Sequence, residues 1–470
     1  MIRMKKIVIL SLVAAVAAMG LQAATNAELE ERVEELEKKL SKTDKKLNTV
    51  KAKHAQDNVK FGIRFRNAVD SLNYKDNITG EEASNNSLLT SRLYLDMAAA
   101  PMDGLIFKGR LAVYGMWGAH MYYDEKGLKD WSGSSKPADS VMRIKEAYFV
   151  YSNELGEQPI SFSVGRRPST EGFLANMRQN EKIAGSPLAH ITNMEVNGGM
   201  VKLSWDRFIP GAYTKFVGGR AHTGDVENVY GLGSNPWGPY SKIDNDDQNV
   251  DFFVMPGSAY NDGQYNIMYQ WAHIFNSKGL NIAQNNAWKA AGKPKDVSSG
   301  KKAGAGYADL FSLGLKIEGI GDEISDFLDN TILFVSGAYT RYTAKDGYSY
   351  FGQGDGESVS GSSIWAGVII PDMVTENGKI GFEYNHGSKY WTPMTWAEDT
   401  AMGSKIAVRG DAYEAYWNFD LFGVKYLPSQ IRYTYAQHDY TPNVNCAGWV
   451  ESEEVDITAQ DIRFFITYSY

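Results

Sequence analysis

Arg64 and Arg66 stand two residues apart in KFGIRFR, and the residues that alternate with them, Phe61, Ile63 and Phe65, are apolar. In an extended chain this spacing sends the charges to one face and the apolar groups to the other. Arg92, Lys108, Arg110 and Lys202 fall on the polar faces of further alternating segments, with Asp96 the lone acid among them. Glu383, Glu414 and Asp420 occupy the polar faces of later segments, while Arg432, Asp461 and Arg463 are mixed. A basic wall facing a more acidic one would create a transverse field that orients polar solutes; the plainer reading is a lining that is merely polar. Other chemistry finds little support. The seven histidines (54, 120, 190, 222, 273, 386 and 438) form no HExxH and no close metal spacing, and GxSxG is absent. DNDDQN lacks the glycine of a calcium loop, and CxxCH is missing. No metal, cofactor or catalytic residue is expected, although a Ser–His pair assembled from distant loops remains an alternative. The single cysteine, Cys446, permits no internal disulfide.

The elements that carry these charges read as strands. LTSRLYLDM, FSLGLKI, KIGFEY, YEAYWNF and QIRYTY each have one apolar and one polar or small face. The chain ends in DIRFFITYSY, with Ile462, Phe464, Ile466, Tyr468 and Tyr470 on one side. Strand starts are expected near residues 60, 89, 104, 142, 159, 198, 212, 249, 264, 307, 330, 363, 379, 410, 429 and 459. The connections alternate. Long ones fall at about 72–87, 118–140, 166–197, 221–248, 276–305, 343–362, 386–409 and 438–457, separated by short ones such as AAAPMDG and DRFIPG. Such regular asymmetry is that of a closed membrane barrel, with short turns at one rim and long loops at the other.

Composition agrees: 28 Tyr, 11 Trp, 20 Phe and 46 Gly suit strands and turns. The net charge of −8 comes with no basic block, so nucleic acid is not an expected partner. Mean hydropathy is −0.36, and beyond the N-terminus no apolar run approaches the roughly 20 residues of a membrane helix. Arg3, Lys5 and Lys6 precede an apolar run and then small residues, so residues 1–23 read as a signal peptide; a membrane-anchoring helix is the alternative. Leu29, Val33, Leu36, Leu40, Thr43, Leu47 and Val50 then alternate by four and three. Residues 24–57 therefore read as a short coiled coil, with Arg32–Glu37 and Lys39–Asp44 favouring parallel self-association; a solitary solvated helix is the alternative. Residues 58–470 form the third region. The expected fold is an all-β transmembrane antiparallel β-barrel of about 16 strands (roughly 14–18), preceded by that α-helical coiled coil.

The last strand resembles the assembly signal of bacterial outer-membrane barrel proteins, which ends in an aromatic residue preceded by apolar residues at every second position; Tyr470 stands where Phe is usual. The whole chain resembles trimeric general and substrate-selective porins, some of which carry a periplasmic coiled coil. SVGRRPSTEGF (163–173) resembles the Gly-Arg segment of an uncharacterised bacterial family of porin-like chains of this length. The resemblance implies an outer membrane of a Gram-negative bacterium and diffusion of small polar solutes or ions. It implies as partners the bilayer, lipopolysaccharide, the assembly machinery and two further copies of the chain. It also implies that the third long loop folds inward, placing Arg166, Arg167, Glu171 and Arg178 at a constriction beside Arg64, Arg66, Arg92, Lys108, Arg110, Lys202, Glu383 and Glu414. A barrel enzyme, a tether or adhesin anchored by the barrel, and a secreted soluble β protein remain open beside it.

Overall fold

The computed structural model describes residues 59–119, 141–168, 171–181, 183–224, 248–294, 299–321, 324–375, 377–396, 398–443 and 448–470. The expected signal peptide, coiled coil and Cys446 lie outside them. The described strands are β1 (Lys60–Asp76), β2 (Glu82–Met102), β3 (Leu105–Met116), β4 (Arg143–Leu155), β5 (Gln158–Arg167), β6 (Thr192–Asn193), β7 (Val196–Ser204), β8 (Tyr213–His222), β9 (Val250–Asn261) and β10 (Tyr265–Asn281). They continue with β11 (Lys301–Glu318), β12 (Ile332–Ala344), β13 (Tyr348–Ser349), β14 (Ser358–Pro371), β15 (Lys379–Gly387), β16 (Met394–Thr395), β17 (Gly410–Asp420), β18 (Pro428–Tyr440) and β19 (Glu454–Ser469).

Setting aside the two-residue β6, β13 and β16, the described residues hold sixteen strands, each pairing with the next in sequence. β1 pairs with both β2 and β19, which closes the sheet into an antiparallel barrel. Closure runs to the last residue: Tyr470 N donates to Ile63 O, and Ile63 N donates to Tyr470 O, both at 2.9 Å. A closed sheet leaves no edge with unpaired backbone groups. The first connection departs from expectation. β1 and β2 stay paired out to Lys75↔Glu82, so only 77–81 remain as loop where 72–87 was expected. A register shift between Asp70 and Leu72 is absorbed without ending the ladder.

The two-residue repeat sorts the side chains. On the outward row Leu313 is 58% exposed, Phe382 50% and Ile462 57%, while Phe464 and Trp417 on the same row are half-buried. Ile364, Leu333, Val335 and Ile431 extend this bare apolar surface across successive strands. A belt so extensive exceeds what an ordinary water-facing surface carries.

The inward row is not uniformly polar. On β12 it reads Ile332, Phe334, Ser336, Ala338, Thr340, Tyr342 and Ala344, all buried. Phe334, Trp365 and Tyr416 pack with Phe173, Leu174 and Leu188 from the connection 168–195, here termed L3. Tyr342 and Val359 pack with Trp391 from the connection 388–409, here termed L7. The barrel interior over β10–β14 is therefore a packed core to which the loops contribute, rather than a uniformly polar lining.

Candidate functional site: the barrel interior

L3 and L7 meet inside the barrel. Thr192–Asn193 and Met394–Thr395 form a short parallel ladder, with Met394 N donating to Ile191 O at 2.9 Å and Trp396 N to Asn193 O at 3.1 Å. Small wall residues allow the approach. A Cβ at Gly314 would stand 2.8 Å from Leu188 Cδ1, and one at Gly361 would stand 2.4 Å from Trp391 N. L3 carries a four-residue helix, α1 (Ala175–Arg178), whose preceding residue, Leu174, is fully buried at φ 80°. A leucine in the left-handed region is held there only by its surroundings. His190 secures the far end of the loop. Its Nδ1 lies 2.8 Å from Ser336 Oγ and its Nε2 3.0 Å from Ser363 Oγ, with Trp365 and Trp391 edge-on to the ring. Burial pushes its pKa down to about 3, so the ring is neutral.

On one side of this bridge lies a dense ion-pair network carried by β1–β4 and β17–β19. Arg64 donates to Asp96 at 3.0 Å and to Glu181 of L3 at 3.3 Å. Arg110 bonds Asp96 and donates to Glu146 at 2.8 Å. Asp399, at the tip of L7, is clasped by four arginines. Arg66 grips both carboxylate oxygens and Arg92 donates to Oδ2 at 2.7 Å, while Arg432 and Arg463 donate to its backbone carbonyl. Burial alone would raise the Asp399 pKa, but Arg66 and Arg92 outweigh it and hold the carboxyl well below the usual range. Arg178 lies between Glu398 (3.3 Å) and Glu414 (3.4 Å), and Lys405 of L7 bridges Glu414 and Glu383 (2.7 Å). A cavity of about 120 Å³ beside this network is lined by Arg64, Arg66, Arg92, Glu171 and Glu181 and reaches β-strand ends at the short-turn rim, Ser429 and Ser469.

A second cavity, of about 360 Å³, lies across the bridge against β7–β10. Val217, Phe252, Val254, Ile274, Met200, Met394 and Trp396 give it apolar walls, and Arg167, Lys215, His222 and Lys278 also line it.

The residues expected at a constriction are thus distributed unevenly. Arg64, Arg66, Arg92, Arg110 and Arg178 join one network, and Glu171 lines its cavity. Arg167 lines the other cavity, and Lys202 stands over the Tyr213 ring at 4.5 Å. Lys108 is exposed on the inward row of β3. Glu383 and Glu414 do not face water: both are buried under L7, because two register-paired carboxylates on adjacent strands require cations, which Lys405 and Arg178 supply. Arg166 points the other way. It shares the outward row of β5 with Phe162 and Val164, and its Nε donates to Lys145 O at 3.1 Å. Its strand continues to Arg167, so the alternation of the strand, rather than a loop, fixes its direction. Sequence reading missed Lys405, Glu398 and Asp399 entirely; the facing pair Glu383 and Glu414 was the one available hint.

Residues 82–464 match the family described as "Protein of unknown function (DUF3373)". The chain belongs to that family. No curated protein matches it in sequence. Among solved structures, Pseudomonas putida OprB at high pH is similar at 12% identity and a TM-score of 0.48, covering 88% of this chain and 94% of that one. The anion-selective porin from Comamonas acidovorans is similar at 11% identity and 0.48, over 88% and 100%. Salmonella typhi OmpF in complex with daunomycin is similar at 10% identity and 0.42, over 89% and 99%. Strand order and the β1–β19 pairing close the barrel, whatever these likenesses.

Proposed function

We propose that the chain is an outer-membrane channel for small hydrophilic solutes or ions, narrowed by L3 and L7. The observation that carries this reading is a closed sixteen-strand sheet with bare apolar side chains outside and arginine–carboxylate pairs inside. Apolar side chains on that scale are stable in contact with lipid tails, and charges in the interior tune which solutes pass. The signal peptide delivers the chain, and the periplasmic coiled coil together with the barrel wall supports a homotrimer. Lipopolysaccharide surrounds the long-loop rim. The constriction is formed by Arg64, Arg66, Arg92 and Arg110 opposite Glu171 and Glu181. The barrel-enzyme alternative gains nothing from His190, whose hydrogen-bond partners are two buried serines and no carboxylate. Purified protein in planar bilayers should give stepwise currents of small amplitude, since two loops occupy the interior. Silence at every voltage from correctly folded protein would reject the proposal.

A further inference from the structure

We propose that the 360 Å³ cavity against β7–β10 is a binding site for an organic monoanion with an apolar body, such as an aryl or branched alkyl carboxylate; this rests on the channel reading for access. The volume falls within the roughly 300–1,000 Å³ typical of small-ligand sites. Its walls are mainly apolar side chains, while its ionisable groups among the described residues are all basic: Arg167, Lys215, His222 and Lys278, with no Asp or Glu among the described lining residues.

The local bonds of Arg167, Lys215 and Lys278 are of a different kind from those across the bridge. Arg167 donates to Ser163 and stands over the Tyr148 ring at 5.2 Å. Lys215 stands over the Tyr213 ring at 5.2 Å, next to Lys202, its register partner on β7. Lys278 lies 3.4 Å from His222 Nδ1. Rings and hydroxyls solvate a cation only partly, so positive charge persists at an apolar surface. A carboxylate complements that charge, and an apolar tail fills the space between Phe252, Val254 and Met394. A sugar would leave the apolar walls unused, and a dianion would bring a second charge against them.

The test is calorimetric titration of the folded full-length protein in non-ionic detergent with phenylacetate, its neutral analogue 2-phenylethanol, and acetate. Phenylacetate is expected to bind at least tenfold more tightly than either. Lys215→Met should weaken it tenfold or more, and Arg167→Gln should act in the same direction if the first variant fails to fold, with heat-modifiable gel mobility as the check on folding. Equal affinity for the acid and the alcohol, no binding of phenylacetate, or binding unchanged in both variants would overturn the inference. Because titration needs no current, currents without binding would defeat this inference alone, and binding without currents would defeat the channel reading alone.

Discussion

The two sides of the L3–L7 bridge solve the problem of buried charge in opposite ways. Toward β1–β4 and β17–β19, cations are met by carboxylates at hydrogen-bond distance, many of them delivered by the loops. Toward β7–β10, cations rest on tyrosine rings, hydroxyls and imidazole beside apolar walls. The first arrangement locks loops to the wall. The second, on the proposal above, leaves positive charge for a solute to meet. A barrel of uniform lining would have to serve both purposes with the same residues; here the bridge separates them.

That contrast is most sharply broken at Arg178. Arg178→Ala would leave Glu398 and Glu414 buried with one partner fewer, a change that costs about 3–5 kcal/mol. Denaturant unfolding or heat-modifiable mobility should show that loss, whereas Lys215→Ala, on the other side, should be nearly neutral for stability. Asp399→Ala should come next. It removes charge-assisted bonds worth about 1.5–3 kcal/mol and frees Arg66 and Arg92, so loop docking weakens and reversal potentials shift toward anions.

His190 sharpens the comparison through pH. Its folded pKa of about 3 lies below the ordinary 6.5, so the unfolded or undocked loop binds the extra proton between those values. Docking of L3 therefore loses about 1.4 kcal/mol per pH unit as pH falls from 6.5 toward 3. Asp399, with its depressed pKa, contributes fully above its ordinary 3.8 and adds no pH dependence until more acid conditions. Protection of amides in 171–195, taken relative to their intrinsic exchange rates at each pH, should fall on acidification, and His190→Asn should remove that dependence. The smallest effect belongs to Arg166→Gln. An outward, exposed side chain should change stability by less than about 0.5 kcal/mol and leave ion selectivity untouched, while Arg167→Gln lowers anion preference.

Strand faces were legible in the sequence because a two-residue period is a direct geometric signal: Arg64, Arg66, Phe61 and Phe65 stand where alternation puts them. The short connections AAAPMDG and DRFIPG likewise join consecutive strands. What covers an inward face was not legible. Trp365 and Phe334 read as strand aromatics, and nothing periodic in 388–409 marks Trp391 or Lys405 as interior groups. The inward course of L3 was inferred by resemblance, while that of L7 had no local signature. Only pairing register, which sets Glu383 beside Glu414, demands a cation from elsewhere in the chain. Arg166 was misplaced because SVGRRPSTEGF was read as loop from its first arginine, whereas β5 runs through Arg167.

The most direct test of the outward apolar row is spin-label accessibility in bilayers, with single cysteines on a Cys446→Ser background. A label at Leu313→Cys should collide freely with dissolved oxygen and be shielded from a water-soluble nickel complex, and a label at Lys108→Cys should show the reverse. A Leu313 label screened from both reagents would place that residue inside protein and contradict the membrane channel.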